Sequence, residues 1–211
     1  MSAIDVVLCN PVRTPIGTYA GSLKSTPATE LGATVIRETL KRSGLAAEKI
    51  ETLVMGQVIQ AGSKMNPARQ AGIQAGLPVE VPALAVNRVC GSGAQGIVSA
   101  AQEVWAGFLK CAIAGGMENM DMAPYLLPQG RWGARMGDVP LLDSMLLDGL
   151  NDAFSGQHSG WHTEDLVSKY GISRADQDAW ALRSQLSFSA AQAAGKFAAE
   201  IIPVEIKGRK G

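Results

Sequence analysis

Between positions 52 and 114 the chain changes period repeatedly. Short apolar runs at 52–59, 82–89 and 110–114 are separated by segments, 66–75 and 94–108, whose apolar residues fall at helical spacing. In the longer of these, Ala94, Ile97, Val98, Ala101, Val104, Trp105 and Phe108 mark one face. Pro67 stands where the first turn of the shorter one would lie. A run at 5–9, stopped by Asn10-Pro11, and a helix at 30–43 carrying Leu31, Val35, Ile36 and Leu40 and closed by Gly44 extend the pattern upstream. Strand alternating with helix predicts an α/β layer on a mainly parallel sheet, with functional residues gathered at the carboxyl ends of its strands.

After about Asn119 the texture changes. Methionine, proline and glycine accumulate through MDMAPYLLPQGRWGARMGDVP and periodicity fades, which predicts an excursion from the core. Two domains follow from this change, 1–118 and 119–211. Helical spacing returns at 163–170 and 174–197, and Ser173 with Asp176 three residues later predicts a capping box. Ile202, Val204 and Ile206 alternate with polar or proline positions as a half-buried strand would, before Gly208-Arg209-Lys210-Gly211. A strand with no return partner in sequence reads as an unfinished hairpin; an edge strand with a frayed end is the other reading.

The 211 residues are enough to bury a core, and 19 basic residues balance 19 acidic ones. Neither a basic stripe nor an amphipathic basic helix is present, so nucleic acid and membrane are not expected partners. Cys9, Cys90 and Cys111 are too far apart for a metal or disulfide framework, so no metal site is expected and a reducing compartment is. The apolar run near the N-terminus is too short for a signal peptide, and the expected location is cytoplasmic.

Cys90 is the residue to explain. It lies in AVNRVCGSGAQG, where an apolar run meets a glycine-rich helix start. Helix starts offer unpaired N–H groups and the positive end of the peptide dipole, a setting that suits a nucleophilic thiolate. The plainer reading of any one intracellular cysteine is a small buried apolar residue. Gly91, Gly93 and Gly96 also spell GxGxxG, so a dinucleotide-binding oxidoreductase competes. That fingerprint calls for an acidic residue ending the next strand, whereas CAIAGG ends in glycines and Glu118 lies beyond them. The two histidines, His158 and His162, stand far downstream and without a recognisable catalytic loop around them.

Several segments together carry a resemblance. RTPIG, MGQVIQAGSKMNPARQAGIQAGLP, NRVCGSG, AGGMENM, RMGD, DGLNDAF and AGKFAAEIIPVEI resemble the N-terminal half of the thiolase family, near its biosynthetic branch, in family order over nearly the whole chain. The resemblance implies a thiolase-like layered fold: an N-terminal core domain with a mixed sheet, and part of the loop domain that covers coenzyme A and supports tetramer contacts. It implies that Cys90 takes an acyl group from an acyl-CoA thioester, with its own backbone N–H helping to hold the oxyanion. A second acyl-CoA then attacks, so that two acetyl-CoA give acetoacetyl-CoA and CoA, reversibly.

By the same resemblance His158 contacts pantetheine, with Ser159 standing where the family has methionine. Leu150 is placed near coenzyme A, and Arg131 and Arg135 are candidates for a weak positive rim. The thioester is substrate, and no cofactor is expected. The family's remaining catalytic parts are an asparagine-glutamate-alanine-phenylalanine segment, a glycine-histidine-proline loop and a second cysteine before a glycine pair. None occurs in these residues, and Cys9 and Cys111 are expected to be packing residues. The expectation is therefore half an active site, completed by a second polypeptide in a tetramer-like assembly; a fragment of a nicked or divided full-length protein and a non-catalytic acyl-CoA-binding scaffold are the alternatives.

Overall fold

The computed structural model describes residues 5–206. Its centre is a three-stranded parallel sheet made of β1 (Thr52–Gly56), β2 (Ala83–Val86) and β3 (Ala112–Gly116), in the order β2-β1-β3. Leu53 pairs with Ala83 on one side and Ile113 on the other. Every residue of β1 is buried, as expected for a central strand covered on both faces.

Alternation along β1 divides the packing. Leu53 and Met55 join a core cluster with Ala33 and Ile36 of α1 (Ala28–Ser43) and with Ala68 and Ala71 of α2 (Pro67–Ala75). Val54 and Gly56 face α3 (Ser92–Trp105) instead. Helix α2 begins as its sequence demands: Pro67 occupies the first turn, and the Asn66 side chain accepts a hydrogen bond from Arg69 N–H at 3.0 Å. Gly44 ends α1 with φ +67°, a conformation open to glycine at little cost.

Downstream come a two-residue antiparallel pair, β4 (Tyr125–Leu126) and β5 (Leu142–Asp143), a π-helical turn at Leu146–Leu150, and helices α4 (Ser159–Tyr170) and α5 (Arg174–Ala193). Neither α4 nor α5 contains a buried residue. Of the expected capping box the N-cap half is formed: Ser173 Oγ accepts from Asp176 N–H at 3.1 Å, while the Asp176 carboxylate takes the Ser173 hydroxyl at 2.6 Å in place of the Ser173 backbone N–H.

Four sequence expectations need correction. The run at 5–9 is not a strand: a cavity of about 640 Å³ lies between it, α1, α3 and β3, so its backbone has no ladder to join, and Val7 and Leu8 are exposed. Cys9 is consequently exposed rather than packed. The run at 202–206 is not a strand either; contact with the N-terminal segment is an isolated parallel bridge between Arg13 and Ile201, tied by the Arg13–Glu200 ion pair at 2.8 Å. The central sheet, expected to be mixed, is wholly parallel among the described residues. The final Gly208-Arg209-Lys210-Gly211 lies outside the described residues.

Candidate active site around Cys90

Because β1, β2 and β3 are parallel, their carboxyl ends lie on one side, and three connecting segments meet there: 57–59 after β1, 87–91 after β2 and 117–119 after β3. Hydrogen bonds stitch them together. Glu118 Oε2 accepts from Val58 N–H at 2.8 Å and Ile59 N–H at 3.2 Å, and Asn87 Nδ2 donates to the Val58 carbonyl at 3.3 Å. Asn119 Nδ2 donates to the carbonyls of Leu23 and Thr26, pinning the approach to α1. Burial pushes the Glu118 carboxyl above its usual range despite the amides that pull it down. Its second oxygen, Oε1, is buried without a partner, as is Oε1 of Gln57.

Cys90 is exposed on the turn between β2 and α3, as an accessible nucleophile must be. The turn is wound tightly by its own polar groups. Val89 N–H donates to Asn87 Oδ1 at 2.9 Å, Gly91 N–H to the Arg88 carbonyl at 3.1 Å and Ser92 N–H to the Val89 carbonyl at 3.0 Å. Ser92 Oγ accepts from Arg88 N–H at 2.8 Å and donates to the Val89 carbonyl at 2.6 Å. Cys90 N–H makes no hydrogen bond among the described residues, leaving it available to an incoming oxygen.

Helix α3 is seated against the sheet by glycine. A Cβ on Gly96 would come within 2.9 Å of the Gly115 carbonyl oxygen and 3.1 Å of that of Val54, and a Cβ on Gly116 would reach 2.9 Å from Gly93 Cα. Gly91 has φ −85° and needs no special conformation. Gly93 and Gly96 of the GxGxxG spelling thus serve close helix–sheet contact, and the acid past the following strand is spent on Val58 and Ile59. The dinucleotide reading has no support in this arrangement.

None of the other sequence candidates is hydrogen-bonded to this turn among the described residues, although the π-helical turn holding Leu150 packs on the connector after β1, where a Cβ on Gly149 would stand 3.3 Å from Ile59 Cδ1. His158 is the N-cap of α4, its Nδ1 accepting from Gly160 N–H at 3.0 Å, and Ser159 is the first helical residue; both are exposed. Helix α4 therefore begins four residues earlier than its spacing suggested, because histidine supplies the cap. An antiparallel bridge between Asn151 and His158 sets half-buried Leu150 beside His158 along the chain. No hydrogen bond joins Cys90 to either histidine among the described residues; His162 Nε2 lies 3.0 Å from Ser155 Oγ. Arg131 and Arg135 are exposed.

Cys111 packs at the edge of the core cluster, and burial raises its thiol pKa, helped by the negative charge of Glu51. The cavity of about 640 Å³ is lined by Cys9 and Cys111 and not by Cys90. Sequence reasoning passed over Asn87, Ser92 and the structural part of Glu118. Asn87 and Ser92 stood inside the quoted NRVCGSG segment, three residues before and two after the cysteine, where turn-forming polar side chains are a readable signal.

A family model described as thiolase, N-terminal domain, matches residues 6–211. Over 207 residues the chain is 49% identical to the acetyl-CoA acetyltransferase of Cupriavidus necator and 49% identical to that of Pseudomonas aeruginosa, each alignment covering 98% of this chain and 53% of the relative. The acetyl-CoA acetyltransferase of Chromobacterium violaceum is 48% identical over 208 residues, covering 99% of this chain and 53% of that protein. The chain spans about half the length of the curated relatives it matches.

Proposed function

The chain belongs to the thiolase family, and from that premise we propose that Cys90 is the nucleophile of an acetyl-CoA C-acetyltransferase. The reading is carried by one observation: an exposed thiol at the carboxyl edge of a parallel sheet, on a turn where the N–H groups of Arg88, Val89, Gly91 and Ser92 are already paired while that of Cys90 has no partner among the described residues.

The Cys90 thiolate attacks the thioester carbon of acetyl-CoA, and the developing oxyanion is met by the Cys90 N–H at the start of α3. Collapse of that adduct expels CoA thiolate, which takes a proton to leave as CoA, and the acetyl group stays on sulfur as a thioester. A base outside the described residues removes a proton from the methyl group of a second acetyl-CoA. The resulting carbanion forms the carbon–carbon bond and releases Cys90, giving acetoacetyl-CoA; the reverse direction is thiolysis.

His158, Ser159 and Leu150 are proposed to face the pantetheine arm. The Asn151–His158 bridge supports this by placing Leu150 and the α4 cap on adjoining strands of chain, with His158 exposed. The acid–base groups are proposed to come from the part of the relatives' length that these residues do not span, in a tetramer-like assembly. Among the described residues no helix is long and apolar enough to cross a membrane.

The test is native purification followed by intact mass and turnover. The active particle should contain the remaining half of the relatives' length, in this polypeptide or in a second one. Cys90→Ser should abolish acyl transfer and leave the fold intact, because the exchange is nearly isosteric but replaces sulfur with a much weaker nucleophile. Undiminished turnover in the Ser variant removes Cys90 from the reaction.

A further inference from the structure

The residue immediately before Cys90 is strained. Val89 has φ +49°, in the left-handed region that a β-branched side chain avoids, and it is one of only five non-glycine residues with positive φ among the described residues. The other four lie in loops away from this turn or, at Asn66, are asparagine, which tolerates the region. Strain of this kind persists only where the surroundings hold it. Around Val89 the holding groups are on the page. Its N–H is taken by Asn87 Oδ1, and its carbonyl receives both the N–H and the hydroxyl of Ser92.

Ser92 is 4% exposed, among the most buried polar side chains in the chain, although the turn it serves is open to solvent. Its hydroxyl both accepts from Arg88 N–H and donates to the Val89 carbonyl, so it grips the peptide groups on either side of Val89 at once. The backbone carrying Ser92 cannot retreat, because Gly56 of β1 lies directly against it: a Cβ at position 56 would stand 2.5 Å from the Ser92 carbonyl oxygen.

We infer that Ser92 is a positioning residue for the nucleophile: its hydroxyl holds Val89 at positive φ, and this sets the direction in which Cys90 presents its sulfur and its free N–H. The inference rests on the reading of Cys90 as nucleophile. It assigns Ser92 no contact with substrate. Without the hydroxyl, Val89 relaxes toward an ordinary conformation and Cys90 turns with it.

Alkylation by iodoacetamide, followed residue by residue by peptide mass mapping, tests this with internal references. Cys9 is exposed on a cavity that Cys90 does not line, and half-buried Cys111 reports on the core. In Ser92→Ala, alkylation of Cys90 should slow by about tenfold, the scale on which releasing one strained backbone residue acts, while Cys9 and Cys111 keep their rates. The decisive variant is V89G/S92A. Glycine accepts positive φ without a clamp, so Cys90 should recover most of its lost rate.

A Ser92→Ala rate equal to wild type overturns the inference. So does a loss that V89G leaves unrepaired, or a Cys111 that becomes fast together with the loss at Cys90, because either marks general loosening rather than aim. Failure of the underlying functional reading looks different: wild-type Cys90 would then react no faster than Cys9 in the first place.

Discussion

Gly56 lies in contact with the backbone of Ser92: a Cβ built on Gly56 would meet the Ser92 carbonyl oxygen at 2.5 Å, Gly93 N at 2.6 Å and the Ser92 carbonyl carbon closer still. The end of the central strand and the start of α3 therefore touch through main chain. This fixes the origin of the helix, and with it the turn that carries Cys90, relative to the sheet.

Gly56→Ala should accordingly force the first turn of α3 away from β1. The obstacle is backbone, which cannot swing aside as a side-chain tip does, so a destabilisation of about 1–3 kcal/mol is expected. Urea unfolding of the variant measures it, and slower alkylation of Cys90 should accompany it. An unchanged midpoint would mean that the helix start has slack.

Glu118 gives a pH prediction. Burial raises its carboxyl above the usual range, so the folded chain holds this proton more tightly than the unfolded chain does. The corresponding stabilisation is complete at pH below the ordinary carboxylate value and is lost as pH climbs through the raised one. Glu118→Gln keeps an oxygen for the Val58 and Ile59 amides but does not titrate. The stability of wild type relative to this variant should therefore fall as pH rises across that window, read from urea midpoints. A constant difference between the two would show that Glu118 titrates as an ordinary carboxyl.

The downstream helices offer a separate test. Ser173 caps α5 through Asp176 N–H, and no residue of α5 is buried, so tertiary packing does little to rescue the end of this helix. Ser173→Ala should cost about 1 kcal/mol of local helix stability, seen as faster hydrogen exchange in the first turn of α5 and not in α3. Equal exchange in wild type and variant would show that the cap is dispensable.

His158→Ala probes the proposed pantetheine contact. Loss of one hydrogen-bonding group should raise KM for the acyl-CoA about two- to tenfold with little change in kcat. A fall in kcat at unchanged KM would instead move His158 into the chemistry.

The parallel layer was legible because its signals are cumulative. The buried run around Leu53–Met55, the Asn66-Pro67 helix start and the Gly44 stop each have a local physical cause, and all three are present. What escaped depends on partners. The run at 5–9 has strand composition, yet a strand exists only where another backbone pairs with it, and a cavity intervenes. The apolar run at 82–89 ends in structure at Val86, because the Asn87 side chain captures Val89 N–H and turns the chain. Composition alone does not reveal that capture. Position singled out Cys90, while the Ser92 grip behind it is hidden in a glycine-rich helix start, where the sequence does not show that the hydroxyl lies between Arg88 and Val89.

The most direct measurement is the mass of the Cys90 peptide from natively purified protein exposed to acetyl-CoA and quenched in acid. Bonded as a thioester, an acetyl group should appear on Cys90, be absent from Cys9 and Cys111, and be discharged by added CoA. An unmodified Cys90, or an acetyl group spread evenly over the three cysteines, would contradict the assignment of this turn as the acyl acceptor.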